Sequence, residues 1–98
     1  MPTAVEPKTY QNGETVTELI DEVTKRGLTK VECECAQSYT SISGIRRELR
    51  PSSNGRSLKL QLDNGFKRKM LFPIWKILGD SDIMVYQPGG QVWRFNAP

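Results

Sequence analysis

Two strand-like segments flank an Asn-Gly pair in the second half of the chain. Three leucines recur at every second position of the first segment: Leu58, Leu60 and Leu62. This period of two is typical of a strand with one buried face. Asn64-Gly65 is the strongest short-range signal for a hairpin turn. The pattern therefore predicts two antiparallel strands, over residues 57–63 and 66–72, and a fold that contains a sheet.

The length of this turn decides which side chains share a face of the hairpin. With a two-residue turn, Leu62 lies opposite Lys67 and Leu60 lies opposite Lys69, so lysines share the leucine face. A three-residue turn with a bulge places other residues beside the leucines: Phe66, Arg68 and Met70. Neither register separates apolar from polar side chains cleanly. We therefore expect either a hairpin covered on both faces, as at a subunit interface, or a working surface that mixes cations with an aromatic ring.

The remaining elements are predicted from periodicity and from helix end signals. A helix over residues 15–26 has an apolar stripe at helical spacing and a capping box that begins at Thr15. Short strands are predicted in four segments: 30–36, 45–50, 82–87 and 91–95. A helical face also fits the segment 45–50, so a helix stays open there. Pro73 at a first helical turn predicts a short helix over residues 73–78.

These elements predict the fold class. A chain of 98 residues forms one domain. We expect a single small α+β domain, with a mostly antiparallel sheet of about five strands, one N-terminal helix and one short helix. Residues 1–12 contain two prolines and no periodicity, which indicates a flexible arm. Residues 37–43 are rich in Ser and Thr and are expected to form a loop, although Tyr39 and Ile42 could extend a strand.

The residue types that are missing argue against an enzyme. The chain has no histidine, which removes histidine general bases, histidine triads and ordinary catalytic zinc. Cys33 and Cys35 lie two apart in a predicted strand, where they share a face and are poorly placed to bridge. We expect both to be small buried residues in a reducing compartment. The sequence thus predicts no catalytic residue, no metal and no cofactor.

Hydropathy places the chain outside the membrane classes. No apolar run approaches the roughly 20 residues that a membrane-spanning helix needs. The first residues show neither a basic region nor an apolar core of a signal peptide. We therefore expect a cytoplasmic protein that does not bind membranes, in the host cytoplasm if its source is a virus.

Charge is distributed unevenly along the chain. Residues 1–44 hold four basic and seven acidic residues, whereas residues 45–98 hold ten basic and four acidic residues. Nine of the basic residues, with two acids, fall within residues 46–76: Arg46, Arg47, Arg50, Arg56, Lys59, Lys67, Arg68, Lys69 and Lys76. Such asymmetry is typical of a surface that binds a polyanion.

Aromatic residues near these cations favour nucleic acid as the polyanion. A single strand is bound by a basic groove along its phosphates and by rings that stack on its bases. The candidate stacking rings are Phe66, Tyr39, Tyr86 and Trp93. The expected interface residues are Arg46, Arg47, Arg50, Arg56, Lys59, Phe66, Lys67, Arg68 and Lys69. Other apolar residues are expected in the core: Phe72, Ile74, Trp75, Ile77 and Phe95, with Trp93 as core or interface.

Two short segments carry a resemblance to known proteins. Gly65-Phe66-Lys67-Arg68-Lys69 and Phe72-Pro73-Ile74-Trp75-Lys76 resemble small phage-encoded regulators that bind single-stranded DNA. They are also similar to transcription-cofactor single-strand binders with a curved sheet, although those proteins carry their helix after the sheet. The resemblance implies a homo-oligomer that coats or grips single strands of DNA and influences transcription or replication. From the basic segment and its aromatic residues we expect binding without strong sequence preference.

A protein-binding role is the alternative. The chain is small, lacks catalytic groups, and combines an acidic helix with a basic second half. These features also fit an inhibitor or adaptor, such as a small phage protein that blocks a host enzyme. Such a protein would bind one partner and have no contact with nucleic acid. Charge separation along one chain further permits salt-sensitive self-association.

Overall fold

The computed structural model describes residues 9–10, 13–35 and 40–98, apart from the side chains of residues 10, 35 and 40. These residues form one α-helix, α1 (Gly13–Lys25), and a short 3-10 turn, Pro88–Gly90. The strands are β1 (Thr9–Tyr10), β2 (Lys30–Cys35), β3 (Thr40–Pro51), β4 (Ser57–Leu62), β5 (Lys67–Leu71), β6 (Ile74–Leu78), β7 (Asp82–Gln87) and β8 (Gln91–Asn96). The α+β class with an antiparallel sheet is confirmed, but seven strands of five or more residues replace the predicted five.

The strands form one antiparallel sheet that is rolled into two facing halves. Its order is β1-β6-β7-β8-β2-β3-β4-β5, and every neighbouring pair is antiparallel. Six antiparallel steps separate β5 from β6, so these two strands run in the same sense. Only Phe72 and Pro73 connect them. Consequently β5 and β6 act as one bent strand that passes between the halves, as in orthogonal β packing.

The bend at Phe72 and Pro73 shows that the helix predicted over residues 73–78 is wrong. This segment is the strand β6, in which Trp75 and Ile77 are buried at alternate positions. Phe72 has a φ of 43°, and the inward positions change there from even-numbered in β5 to odd-numbered in β6. All five residues of β6 pair with β7, and Trp75 and Lys76 also pair with β1, whereas an isolated helix of about six residues would be marginal.

Strand β3 changes halves at a bulge between Arg46 and Glu48. Its first part pairs with β2 and its last part pairs with β4. The bulge shifts the register by one residue. Before it, even-numbered residues such as Arg46 face inward; after it, the odd-numbered Leu49 packs against the core. The strand predicted over residues 45–50 is confirmed, and the helical alternative is wrong.

The β4–β5 hairpin has the three-residue turn with a bulge. The Leu62 amide donates to the Phe66 carbonyl (2.9 Å), and the Gly65 amide donates to the Leu62 carbonyl (3.1 Å). Gly65 supplies the positive φ (91°) that this turn requires. In the ladder Leu60 lies opposite Arg68. Phe66, Arg68 and Met70 therefore share the leucine face, and the lysines of β5 point to the other side.

Replacing Gly65 by alanine should weaken the hairpin. A side chain in the left-handed region costs roughly 1–2 kcal/mol, so we expect the free energy of unfolding to fall by about that amount in chemical denaturation. Ser81→Ala, in the exposed turn between β6 and β7, is the control and should change it by less than about 0.5 kcal/mol. An unchanged Gly65→Ala protein would show that the turn adopts another register.

The core lies between the two halves of the sheet and beneath α1. The helix buries one stripe, as predicted: Val16, Leu19 and Val23. The sheet contributes Trp75, Trp93 and Phe95, all fully buried, and these core predictions are confirmed. The predicted core positions of Phe72 and Ile74 are wrong, because the two side chains are 54% and 40% exposed. Both lie at the bend, where the chain turns their side chains outward.

The N-terminal half otherwise follows the expected order of elements. Thr9–Tyr10, within the segment predicted as an arm, pairs with β6, and the rest of residues 1–12 lies outside the described part. Cys33 is buried in the core, as expected. Residues 40–43 belong to β3 although a loop was expected there, because they pair with β2.

Candidate nucleic-acid interface

The outward face of β3, β4 and β5 carries a row of three cations. Arg50 lies opposite Lys59, and Lys59 lies opposite Lys69, in the two antiparallel ladders. Residues placed directly opposite have Cβ atoms roughly 4.5–5.5 Å apart and share a face. All three side chains are exposed. The row therefore presents three positive charges side by side across three strands.

A second row lies beside the first on the same face. Glu48 lies opposite Gln61, and Gln61 lies opposite Lys67. The Glu48 carboxylate, at Oε1, is 2.9 Å from Nε of Arg50. The two rows border a groove of about 350 Å³. The name basic face is used below for its four cations: Arg50, Lys59, Lys67 and Lys69.

The basic face places several positive charges close together, which lowers the stability of the sheet itself. Glu48 is the only acid among the residues that line the groove. Like charges placed directly opposite each other destabilise a sheet. A bound polyanion would relieve this repulsion, because each of its phosphates would lie close to one or more of the cations. The arrangement thus has the electrostatics of an anion-binding surface.

Three cations away from the basic face have carboxylate partners: Lys25, Arg26 and Arg94. Arg26 and Lys25 bind the two oxygens of Glu22 at 2.8 and 3.1 Å, and these hydrogen bonds lower the pKa of Glu22. Arg94 binds Asp82 at 3.1 Å, which raises the pKa of Arg94. Within the described residues the three lysines of the basic face have no ion pair. They are therefore available to a ligand.

Two of the predicted interface cations face inward. The Nε of Arg46 donates to the carbonyl of Leu28 at 3.2 Å, and partial burial lowers the pKa of Arg46. The guanidinium carbon of Arg68 lies 5.4 Å from the ring centroid of Phe66 and 5.8 Å from that of Trp93. Arg46 is thus placed away from the basic face, whereas Arg68 lies beside the two inner rings and also lines the groove of the basic face.

The three predicted stacking rings that the structure describes are not on the basic face. Phe66 packs against Trp93 with ring centroids 5.9 Å apart, and Trp93 is fully buried. Tyr86 lies on the outward side of the other half, where Nζ of Lys76 is 5.4 Å from its ring centroid. Tyr39 lies outside the described residues. The hypothesis of a surface that mixes cations with Phe66 therefore does not describe this hairpin.

The remaining two predicted cations lie outside the basic face. Arg47 is exposed at the bulge of β3. Arg56 is exposed in the β3–β4 loop, and its carbonyl accepts the amide of Phe72 at 3.0 Å. The structure thus brings five of the nine predicted residues to one groove, the four cations of the basic face and Arg68, whereas Arg47 and Arg56 lie at other places on the surface.

Sequence reasoning missed a patch of exposed apolar residues beside the basic face. It is called the apolar corner here and consists of Leu71, Phe72 and Ile74. Leu71 is 51% exposed and follows Lys69 on the outward side of β5. The Gln87 side chain fixes the corner from β7, because its Nε2 donates to the carbonyl of Leu71 at 3.1 Å. The one signal in the sequence was Pro73, which can mark a bend between strands as well as a helix start.

Comparison with known proteins gives no family for this chain. No protein-family model matches it, and no curated protein or solved structure gave a match. In the part of the chain that the structure describes, no helix has the length and apolar character to cross a membrane. Nor do three or more cysteine or carboxylate side chains there come together as metal ligands would.

Proposed function

We propose that this protein is a non-enzymatic nucleic-acid-binding protein that regulates transcription or replication. Its ligand is single-stranded DNA, bound through the basic face without strong sequence preference. The main support for the proposal is the row Arg50–Lys59–Lys69, in which three exposed cations lie opposite one another. Neither lysine of this row has an ion pair within the described residues, so the phosphates of a nucleic-acid strand could neutralise them. Neutralising phosphates releases counterions and gives affinity that depends on salt.

Weak sequence preference follows from the chemistry of the basic face. Lysine and arginine side chains that bind phosphate oxygens position a strand but do not distinguish its bases. Gln61, between Glu48 and Lys67, is the one uncharged polar side chain in the two rows. The face therefore has few groups with which to recognise base edges.

The experiment that tests the proposal compares three ligands of one sequence. Fluorescence anisotropy would measure binding of single-stranded DNA, duplex DNA and RNA at about 50 and 200 mM salt. We expect single-stranded DNA to bind most tightly and its affinity to fall at the higher salt. If none of the three binds at the lower salt, the proposal is wrong and a protein-binding inhibitor or adaptor becomes the better interpretation.

Removing the carboxylate of the basic face should strengthen binding. In Glu48→Gln the guanidinium of Arg50 loses its internal partner and becomes free for phosphate. Exposed ion pairs are worth roughly 0.2–1 kcal/mol, so we expect the affinity for a single-stranded oligonucleotide to rise by about 1.4- to 5-fold. Glu34→Gln, an exposed acid on β2, is the control and should have little effect. Equal gains from both variants would indicate a general charge effect.

A further inference from the structure

Phe72 is the most exposed of the large apolar side chains in the described residues. Its side chain is 54% exposed, whereas Trp75, Trp93 and Phe95 are fully buried. A half-exposed phenyl ring gains only part of the roughly 1.5–3 kcal/mol that full burial would contribute. Packing within the domain therefore does not explain why an aromatic residue stands at this position.

The backbone of Phe72 adds a second local cost. Its φ is 43°, and it is the only residue other than glycine with a positive φ in the described chain. The bend between β5 and β6 requires this conformation, but glycine or asparagine would adopt it more readily. A bulky residue in the left-handed region is worth examining as a functional position. Neither the bend nor the core needs the ring itself.

The residues around Phe72 resemble those of a surface that binds a nucleic-acid strand. Along β5 the outward residues are Lys67, Lys69 and Leu71, so the ring stands at the end of the basic face. On its other side the Phe72 amide binds the carbonyl of Arg56. Phe72 and Arg56 line an open depression of about 640 Å³, together with the acid Glu14. The exposed ring thus stands between the cations of β5 and Arg56, as in surfaces where phosphates and bases are bound in turn.

We propose that Phe72 is the residue on which an unpaired base of the bound strand stacks. This inference rests on the proposed function of the basic face and adds the position of a base to it. Phosphates on one side of that base lie on Lys69 and its neighbours, and the next phosphate lies within reach of Arg56. A paired base does not present its face to a ring, so Phe72 makes the site selective for single strands.

The test removes the ring and the base separately. Phe72→Gly removes the ring and suits the positive φ, so the variant is expected to fold, and Phe72→Trp keeps a ring. The probes are a single-stranded thymidine oligonucleotide and the same oligonucleotide with abasic residues. Stacking is worth enough that Phe72→Gly should weaken thymidine binding by roughly 5- to 150-fold. It should leave abasic binding nearly unchanged, and Phe72→Trp should bind like the parent.

The outcomes separate this inference from the proposed function. If the parent protein binds no oligonucleotide, the proposed function fails and the role of Phe72 fails with it. If the parent binds but Phe72→Gly binds equally well, the basic face stands and the stacking role is overturned. Equal losses on the thymidine and the abasic oligonucleotide would also overturn it, because the ring would then act on the shape of the corner. A thermal unfolding measurement of each variant verifies that it is folded.

Discussion

Replacing Arg50, Lys59 and Lys69 together by glutamine lowers the affinity for a single-stranded oligonucleotide by roughly 100- to 1000-fold at about 50 mM salt. Each phosphate neutralised on a single strand contributes a salt slope of about −0.7, which is roughly eightfold at this salt relative to 1 M. The three residues form one row across β3, β4 and β5, so they are expected to act on neighbouring phosphates. The loss should be similar for different sequences.

A matched variant controls for net charge. Lys25, Lys30 and Arg94 are exposed cations outside the basic face, and their replacement by glutamine removes the same total charge. We expect this variant to lose no more than about tenfold in affinity. The row variant should be at least as stable as the parent, because opposed like charges are removed from the sheet. Equal losses of affinity in the two variants would place the binding site elsewhere.

Trp93→Ala should lower the free energy of unfolding by about 3–5 kcal/mol. The indole is fully buried on β8 and packs against Phe66 of the opposite half, with Arg68 beside both rings. It therefore joins the two halves of the rolled sheet at their centre. For a domain whose total stability is expected at about 5–15 kcal/mol, this loss is large. Chemical denaturation followed by circular dichroism would measure it.

The same variant distinguishes a core ring from a stacking ring. Ile74→Ala, at an exposed position of the apolar corner, is the control and should cost less than about 1 kcal/mol. If Trp93→Ala kept its stability but lost affinity for single strands, Trp93 would be a ligand-binding residue and the packing described here would be wrong. If it unfolds more easily and binds normally while folded, Trp93 belongs to the core.

Much of the fold could be predicted because local patterns agree with the final structure. Local sequence pattern and tertiary packing agree at three places: the leucines of β4, the Asn-Gly turn and the apolar stripe of α1. The segment 73–78 could not be predicted from such rules. Pro73 suits both a helix start and a bend, and only the partner strand β7 decides between them. The bulge of β3 is likewise a product of pairing with two different strands.

The candidate site shows a similar division. The distribution of charge along the sequence indicated the segment that forms the basic face, because charges can be counted without knowing which strands pair. Which cations face outward depends on the hairpin register, and one extra turn residue sends Arg68 inward while Lys67 and Lys69 face outward. The exposure of Phe72 depends on the bend, so its ring was assigned to the core. Sequence patterns are least able to predict the exposure of side chains at a bend that joins two halves of a sheet.

Salt dependence of binding tests the central claim most directly. The affinity of the unmodified protein for a single-stranded oligonucleotide would be measured by anisotropy over a series of salt concentrations. Four phosphate contacts on the basic face predict that log Kobs falls with log salt with a slope of about −2 to −3. A slope near zero, or no binding at about 50 mM salt, would contradict the claim that the basic face binds single-stranded nucleic acid.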